Sequence, residues 1–284
     1  MTIAEFPRLE SLPADDRPVL LCVHASASSG RQWDALAARL RGRADVVAPD
    51  LHDHGDGPPA PRGEEDLLAL DAGLVERVLR DLPGAVHLVG HSYGGAVALS
   101  AARRCPGKVR SLVVFEPAWF GLLRATAPDS DAFMGIAWIA QSVRLHVQGG
   151  RPREAARLFV DFWSGSGTYE AMSPRKRDAV VGRMGTVVRQ FHGLFSDPGW
   201  SAGGRMPCSW PLLYLTGSEA PEPGGTLKGI VHTRFRHATF AHLAGCGHMG
   251  PVTHPATVNL LIETFVRRHA RSDDRTRVTL RRVA

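Results

Sequence analysis

The sequence contains no apolar run that approaches the length of about 18 residues needed to cross a bilayer. Residues 1–17 include four acidic side chains and no unbroken apolar stretch, so they lack the form of a secretory signal. The four cysteines stand far apart, at positions 22, 105, 208 and 246, without a Cys-x-x-Cys pair. This spacing argues against a disulfide framework or a cysteine zinc site, and we expect a cytoplasmic protein with reduced thiols and no membrane partner.

The sequence also lacks a glycine-rich phosphate loop, a dinucleotide fingerprint and internal repeats, so it implies no cofactor. The formal charge of +6 comes from two regions: residues 118–205 have eleven basic and seven acidic residues, and residues 267–284 have seven arginines against two aspartates. The remainder is slightly acidic, a distribution that argues against binding of nucleic acid. We expect a small-molecule substrate as the partner, and the sequence leaves the oligomeric state open, with a homodimer as one option.

What the sequence does contain is a regular alternation of two patterns over much of its 284 residues. Short, continuous apolar runs are typical of strands buried on both faces, and apolar residues three and four apart are typical of amphipathic helices. We predict strands at residues 19–23, 46–48, 86–89, 109–115, 212–216 and 239–243. We predict helices at residues 32–40, 67–82, 95–104 and 256–269. This order predicts an α/β fold with a mostly parallel central sheet and helices on both faces.

The alternation is interrupted between residues 118 and 205, where helical patterns occur without strong strands. Because sites in parallel sheets form at the carboxyl ends of the strands, we interpret this block as a helical lid inserted over that edge. The predicted organisation is a core of residues 1–117 and 206–270, a lid of residues 118–205 and a basic tail of residues 271–284.

A serine occupies the junction between the third predicted strand and the helix after it. The segment Gly90-His91-Ser92-Tyr93-Gly94 has the pattern Gly-x-Ser-x-Gly. Glycines on both sides let the strand and the helix approach closely, so that a sharp turn exposes the serine hydroxyl above the sheet. The N–H groups at the start of the helix favour developing negative charge. We therefore predict that Ser92 is a catalytic nucleophile.

A serine hydroxyl is a weak nucleophile and needs a base. His248 follows Gly247 in the loop between the last predicted strand and the last predicted helix, which opens at the same sheet edge as Ser92. We predict that His248 is this base, while His242 and His254 are weaker candidates in the same region.

An oxyanion intermediate needs two N–H donors aimed at it. We expect one from the backbone of Tyr93, the residue after the nucleophile. The other should come from the loop after the first strand, where Ser26 is the first choice and Ala25 the second.

Taken together, these motifs resemble the α/β-hydrolase fold superfamily, in its smaller members that carry a lid. The resemblance covers residues 18–268 and rests on pieces that occur in the order found in the family. They are the His24 loop with Trp33 downstream, Pro49-Asp50-Leu51 followed by His54-Gly55, the Ser92 turn and Gly247-His248. The resemblance implies a serine hydrolase similar to the esterases.

The sequence departs from that family at two positions. Many relatives have His-Gly in the first loop, where this chain has His24-Ala25. The acid of the triad is usually an Asp three residues after a glycine, and here Ala220 falls at that position, beside Glu219. Some relatives take the acid from an earlier strand end, where this chain has Glu116. We favour Glu116 over Glu219 as the carboxylate that orients His248.

One group of residues has the appearance of a metal site. His52, Asp53, His54 and Asp56 lie close together in sequence, but no further ligands occur at metal spacing. His54-Gly55 also matches a loop dipeptide of the family. We predict no metal.

The reaction expected from this pattern is hydrolysis of a small to medium, largely apolar ester-like substrate, such as a carboxylic ester or thioester, through an acyl-enzyme. We expect an apolar pocket from the aromatic residues of the lid, which are Trp119, Phe120, Phe133, Trp138, Phe159, Phe162 and Trp163. Two alternatives stay open, because a fold does not fix a function. One is an enzyme of the same fold with other chemistry, such as a lyase, a cofactor-free oxygenase or a perhydrolase-type enzyme. The other is a non-enzymatic ligand receptor, a reading that Ala220 favours.

Overall fold

The structure is a computed structural model that describes residues 17–61, 63, 66–197, 210–235 and 237–270. The predicted basic tail, the boundary between residues 205 and 206, and Cys208 lie outside the described residues. The division into a core, a lid and a tail therefore stays a prediction.

The described chain forms one sheet of six parallel strands in the order β2-β1-β3-β4-β5-β6. The strands are β1 Val19–Val23, β2 Asp45–Val47, β3 Val86–His91, β4 Val109–Phe115, β5 Leu212–Gly217 and β6 Ala238–Leu243. The predicted α/β class with a parallel sheet is confirmed. Several boundaries differ by one or two residues from the predicted ones. Strand β2 begins at Asp45 and ends before Ala48, β3 continues to His91, β5 continues to Gly217, and β6 begins at Ala238.

The helices alternate with the strands and cover both faces of the sheet. They are α1 Asp34–Leu40, α2 Leu67–Asp81, α3 Tyr93–Arg104, α4 Phe120–Thr126, α5 Asp131–Gln148, α6 Pro152–Ser164, α7 Thr168–Ala171, α8 Pro174–Val181, α9 Met184–Ser196, α10 Pro223–Arg234, α11 Gly250–Thr253 and α12 Pro255–His269. The first predicted helix is divided, since residues 30–33 form a 3-10 turn before α1. Helix α3 begins at Tyr93 rather than at Gly95, so the nucleophile candidate directly precedes it.

Helix α10 was not predicted, because Gly224, Gly225 and Gly229 lower its helix propensity and no clear apolar stripe marks it. Its formation depends on tertiary packing instead. Leu227 and Val231 are buried in the core, which compensates for the weak local preference.

The apolar runs of the strands fill two separate cores. In β1, Leu21 and Val23 belong to the core that contains the buried residues of α2 and α3. Leu20 and Cys22 point to the other core, which they share with the buried residues of α1 and α12. Successive strand residues face opposite sides, so a strand covered on both faces must be apolar throughout.

Six helices, α4 to α9, lie between β4 and β5, and we call them the helical insertion. Within it, α9 packs against α4, α5 and α6, and it also packs against α2 and α3 of the layer beside the sheet. Over its described residues 118–197, the block that the sequence predicted as helical consists of these helices and the loops between them, without a strand. Across residues 17–270, apart from the gaps named above, no helix combines the length and the apolar character needed to cross a membrane.

The strand order reverses between β1 and β3, because the chain moves to one side of β1 to form β2 and returns to the other side to form β3. Loops that leave the carboxyl ends of such neighbouring strands diverge and form a crevice, where ligands bind in open α/β sheets. The loops after β1 and β3 carry Ser26 and Ser92, so the topology brings these two serines to the same crevice.

A buried carboxylate joins the two helices on one face of the sheet. Glu263 of α12 is 4% exposed and accepts hydrogen bonds from Arg39 of α1 at 2.7 Å and from Arg43 at 2.5 Å. Burial raises the pKa of Glu263, but the hydrogen bond from Arg39 and the charge of Arg43 outweigh that effect and leave it below its ordinary value.

We expect Glu263→Gln to lower the free energy of unfolding at pH 7 by about 1–3 kcal/mol, because two guanidinium donors lose their charged acceptor. Since the pKa of Glu263 is lowered by folding, its contribution is complete above its ordinary pKa and is lost as the pH falls through the folded value. Urea unfolding of wild type and variant between pH 7 and pH 3 should therefore show a difference that shrinks in acid. Glu170→Gln, which removes an exposed pair with Arg177, should change stability by less than about 1 kcal/mol. A pH-independent difference for Glu263→Gln would contradict this assignment.

Candidate active site

The turn between β3 and α3 holds Ser92 in a conformation that L-residues rarely adopt, with φ of 53° and ψ of −119°. The surrounding chain holds it there, because its N–H donates to Phe115 O at 3.0 Å and its C=O accepts from Gly95 N–H at 2.9 Å and from Ala118 N–H at 3.0 Å. Such strain persists only where the surroundings determine the conformation, and it is typical of functional sites.

The two glycines of the motif are needed for close contact between backbones. A Cβ on Gly94 would lie 2.4 Å from Val23 O and from His24 O, at the end of β1. A Cβ on Gly90 would lie 2.5 Å from Gly94 O. Any side chain at either position would push α3 away from the sheet, so the glycines set the position of Ser92 relative to the β1 loop.

Three residues from separate loops form one chain of hydrogen bonds. Ser92 Oγ lies 3.0 Å from His248 Nε2, and His248 Nδ1 lies 2.7 Å from Glu116 Oε2. Because a carboxylate only accepts hydrogen bonds, the Nδ1–H donates to Glu116 and Nε2 is left to accept the serine O–H. All three residues are buried, and the structure brings together the residues that the sequence predicted as nucleophile, base and acid.

Glu116 is positioned by the end of β4, where it takes a positive φ of 43°. Its N–H donates to Leu215 O at 3.0 Å, and its second carboxylate oxygen accepts from Gly217 N–H at 2.8 Å. The carboxylate is therefore held by backbone on the side opposite His248, which fixes its orientation.

The weaker candidates lie elsewhere. Glu219 is exposed on the turn after β5, and only its backbone N–H is bonded, to Cys246 O at 2.9 Å, among the contacts of the described residues. The ring of His242 contacts the Thr216 hydroxyl at 3.0 Å, and His254 contacts Thr253 at 2.9 Å. None of the three approaches Ser92, so the structure separates them from the chain of hydrogen bonds.

His91, the residue before Ser92, supports His248 from below. Its Nε2 lies 2.8 Å from His248 O, and the two rings are 5.1 Å apart. Burial, followed by the nearby His248, lowers the pKa of His91 well below its ordinary value, so the neutral ring donates its Nε2–H to that carbonyl. The sequence motif around Ser92 does not reveal this contact of His91 with the backbone of His248.

The two predicted oxyanion donors are both unpaired. The N–H of Tyr93 is the first of α3, where helix N–H groups lack a partner within the helix. Ser26 N–H has no hydrogen-bond acceptor among the described residues. The N–H of Ala25, the second choice, already donates to Gln32 Oε1 at 3.2 Å. Of the two candidates in this loop, only Ser26 therefore has a donor free for a ligand.

The loop that carries Ser26 is held by the residue after it. Ala27 has a positive φ of 55°, its N–H donates to His54 Nε2 at 3.2 Å, and its C=O accepts from Arg183 Nη1 at 3.0 Å. Burial lowers the pKa of His54, which keeps Nε2 unprotonated and able to accept. The helical insertion thus contributes one of the two bonds that hold this loop.

The histidines of the suspected metal motif are engaged in hydrogen bonds. His54 Nδ1–H donates to His52 O at 2.7 Å, and His52 Nδ1 lies 2.7 Å from Asp71 Oδ1. No cluster of three or more His, Cys, Asp and Glu side chains in the described parts of the chain is arranged to hold a metal. The motif therefore builds the loops around Ser26 instead.

Asp71 is a functional candidate that sequence analysis missed. It is fully buried on α2 and accepts from the Tyr93 hydroxyl at 2.6 Å as well as from His52. Burial, followed by the charge of Asp71, raises the pKa of Tyr93 well above its ordinary value, so the phenol keeps its proton and donates. The available signal was a carboxylate within the otherwise apolar stripe of α2. It anchors the residue whose N–H starts α3.

A small pocket of about 250 Å³, counting the part open to solvent, lies over Ser92 and beneath the helical insertion. Its lining residues are mostly apolar: Ser26, Ser92, Ala118, Phe120, Phe159, Trp163, Val187, Gln190, Phe191 and Leu194. Phe120, Phe159 and Trp163 are thus the predicted aromatics that reach it. Trp138 is 62% exposed, so the expectation that it contributes to the pocket is wrong.

Trp163 covers His248 directly. The indole and imidazole rings stack with centroids 4.2 Å apart and planes 30° apart. The indole comes from α6, so the helical insertion contacts His248 as well as the pocket. Sequence analysis could name Trp163 as one of several aromatics, but nothing in the pattern distinguished it from its neighbours.

We expect Gly94→Ala to reduce both activity and stability, because the new Cβ would meet backbone oxygens of β1 that cannot move without shifting the sheet. Overpacking of this kind costs about 1–3 kcal/mol. Gly107→Ala is the matched control, since its Cβ would meet nothing within 4 Å. Thermal unfolding and ester turnover of both variants check this, and equal effects would contradict the close-approach argument.

Comparison with known proteins gives relatives of two kinds. A pimeloyl-[acyl-carrier protein] methyl ester esterase of Aromatoleum aromaticum is 27% identical over 266 residues, which cover 89% of this chain and 99% of that protein. Bovine protein phosphatase methylesterase 1 is 39% identical over 92 residues, or 30% of this chain, and this match covers only 24% of its own length.

Among solved structures, a thermophilic esterase from Thermogutta terrifontis superposes with a TM-score of 0.65, covers 89% of this chain and 90% of its own, and is 22% identical. At that identity the likeness shows the fold alone. The family model described as "Alpha/beta hydrolase family" matches residues 20–259, which is most of the chain. The match extends over the nucleophile turn, the Glu116 strand end and the His248 loop, and the protein belongs to the α/β hydrolase family.

Proposed function

We propose that this protein is a serine hydrolase that cleaves small to medium, largely apolar carboxylic esters or related carbonyl compounds through an acyl-enzyme. The observation that carries the proposal is the continuous chain of hydrogen bonds from Ser92 through His248 to Glu116. Nucleophile, base and acid joined in this order are the arrangement that acyl transfer requires.

In the first half of the reaction, Ser92 Oγ attacks the carbonyl carbon of the ester while His248 Nε2 takes the hydroxyl proton. Negative charge develops on the carbonyl oxygen, and the N–H groups of Tyr93 and Ser26 are free to donate to it. His248 then returns the proton to the alcohol oxygen as the C–O bond breaks. The acyl group stays on Ser92.

In the second half, His248 takes a proton from water, whose oxygen attacks the acyl carbon. His248 then returns the proton to Ser92 Oγ as the bond between that oxygen and the acyl carbon breaks and the acid is released. The imidazolium that forms in each half is stabilised on two sides. Glu116 accepts its Nδ1–H, and the face of Trp163 lies within the range of a cation–π contact. We assign the helical insertion the role of a lid, on the ground that α4, α6 and α9 line the pocket over Ser92.

The relatives support ester cleavage as the reaction class. The relative that matches along nearly its whole length is described as a methyl ester esterase, and the bovine relative as a methylesterase. The pocket is small and largely apolar, which favours small or medium acyl groups over long chains. The described cysteines, Cys22, Cys105 and Cys246, are free thiols, which supports a place in the cytoplasm.

We expect Ser92→Ala to lower kcat for p-nitrophenyl acetate by at least about 1000-fold, because no other group can form the acyl-enzyme. Ser100→Ala, on the same helix and away from the pocket, should keep wild-type turnover. Burst kinetics of the wild type should also show the acyl-enzyme directly. Equal rates for Ser92→Ala and wild type would remove the proposed function and favour a ligand receptor. Products other than an acid and an alcohol would indicate another chemistry on the same fold.

Glu116→Gln should lower kcat by about 100- to 10,000-fold with little change in KM, because an amide can present its NH₂ to His248 and favour the wrong tautomer. Glu219→Gln should leave both constants near their wild-type values, since this side chain is exposed and makes no hydrogen bond to His248 among the described residues. Both variants lose one negative charge, so a loss of kcat in Glu116→Gln alone shows that this carboxylate orients His248. Damage from Glu219→Gln alone would show that the acid is assigned to the wrong residue.

A further inference from the structure

One buried side chain beside the nucleophile has no hydrogen-bond partner. Gln190 of α9 is 1% exposed and lines the same pocket as Ser92 and Ser26. Among the described residues, no donor bonds its Oε1 and no acceptor bonds its Nε2. Buried amides are nearly always paired, and leaving one unpaired costs about 1–3 kcal/mol.

Gln190 occupies a position on α9 where an apolar residue would avoid this cost. The other buried side chains of α9 form an apolar stripe of Met184, Val187, Phe191 and Leu194, apart from Thr186. The Thr186 hydroxyl is paired, since it donates to Asp53 Oδ2 at 3.2 Å, and Gln190 is not. A leucine or methionine would continue that stripe and would leave no polar group unpaired. A polar side chain at such a position, inside a site, indicates a ligand that forms the missing hydrogen bonds.

The rest of the pocket limits what that ligand can be. Apart from Gln190, the lining side chains that carry polar groups are the two serines and the indole of Trp163, and none of the lining side chains that the structure describes is charged. A charged group on the substrate would have no counter-ion there, and its burial would be costly. The Gln190 amide offers both an acceptor and donors, so its complement is a neutral group that also donates and accepts.

We propose that Gln190 determines substrate specificity by binding a neutral amide or hydroxyl group carried by the ester, separated from the scissile carbonyl by a short apolar spacer. This inference rests on the proposed function and narrows its substrate class. The apolar wall formed by Phe120, Phe159 and Val187 packs against the spacer, and Gln190 pairs with the polar end. A substrate without that end leaves the amide unpaired, which is the condition under which sites reject analogues most strongly.

The test compares two methyl esters of nearly equal shape. Methyl succinamate ends in a carboxamide, and methyl isocaproate replaces that group with an isopropyl group. We expect wild-type kcat/KM to favour methyl succinamate, or its homologue one methylene shorter or longer, over the matched apolar ester by about 10- to 100-fold. In Gln190→Leu the preference should disappear or reverse. Proton release measures turnover of both esters without a chromophore.

Two controls accompany the comparison. Gln141→Leu makes the same substitution at an exposed glutamine of α5 and should keep the wild-type preference. Gln190→Leu should also raise the Tm, because it removes an unpaired buried amide from the free enzyme. A selectivity change in a variant that is more stable cannot come from misfolding.

The inference is overturned if Gln190→Leu keeps the wild-type ratio, or if wild type prefers the apolar ester at every spacer length. Should no ester be turned over, the proposed function fails on its own, and Gln190 is then tested by binding. Calorimetry with valeramide on the Ser92→Ala protein and on the Ser92→Ala, Gln190→Leu double variant gives that result. Equal affinity of the two for valeramide overturns the inference, and at least about tenfold weaker binding to the double variant supports it.

Discussion

The hydrogen bond between Ser92 and His248 spans 156 positions of sequence, and every other feature of the site depends on it. It exists because parallel strands all end at one edge of the sheet. The loops after β3, β4 and β6 all leave that edge, and each supplies one member of the chain of hydrogen bonds. The polar site therefore depends on the apolar strands, because a sheet covered on both faces fixes the three loops relative to one another.

The cost of this arrangement is visible in the backbone. Across the described residues, four non-glycine residues have positive φ: Ala27, Asp53, Ser92 and Glu116. All four lie in loops at the carboxyl edge of the sheet, and each is fixed by hydrogen bonds to a neighbouring element. Local strain at such positions persists because the surrounding fold outweighs it. The positions of the residues with positive φ therefore mark the location of the site, whatever their side chains are.

The helical insertion takes part in the site at several points. Trp163 stacks on the base, Arg183 bonds the loop that carries Ser26, and Thr186 bonds Asp53 at 3.2 Å. Gln190 enters the pocket without a partner. A movement of α6 or α9 would change the base, the predicted oxyanion donors and the pocket together.

The sequence by itself determined the class of fold, and its motifs singled out Ser92 and His248 as candidates. Strand runs and helix stripes are local patterns, and the glycines around Ser92 and before His248 mark turns that few other residues allow. The choice between Glu116 and Glu219 was open in sequence, because both follow strands that end at the same edge. Only the tertiary structure separated them, by turning one carboxylate inward at a positive φ and leaving the other exposed.

The supporting residues could be recognised only in three dimensions. Asp71 bonds residues 19 and 22 positions away, and His91 bonds a residue 157 positions away. Trp163 stacks on His248 from another element, and no local pattern records such contacts. A polar residue in an apolar stripe is compatible with a kink, a surface position or a site. Burial and the absence of a partner decide among these, and both are properties of the folded chain, because they depend on which distant atoms the fold brings near.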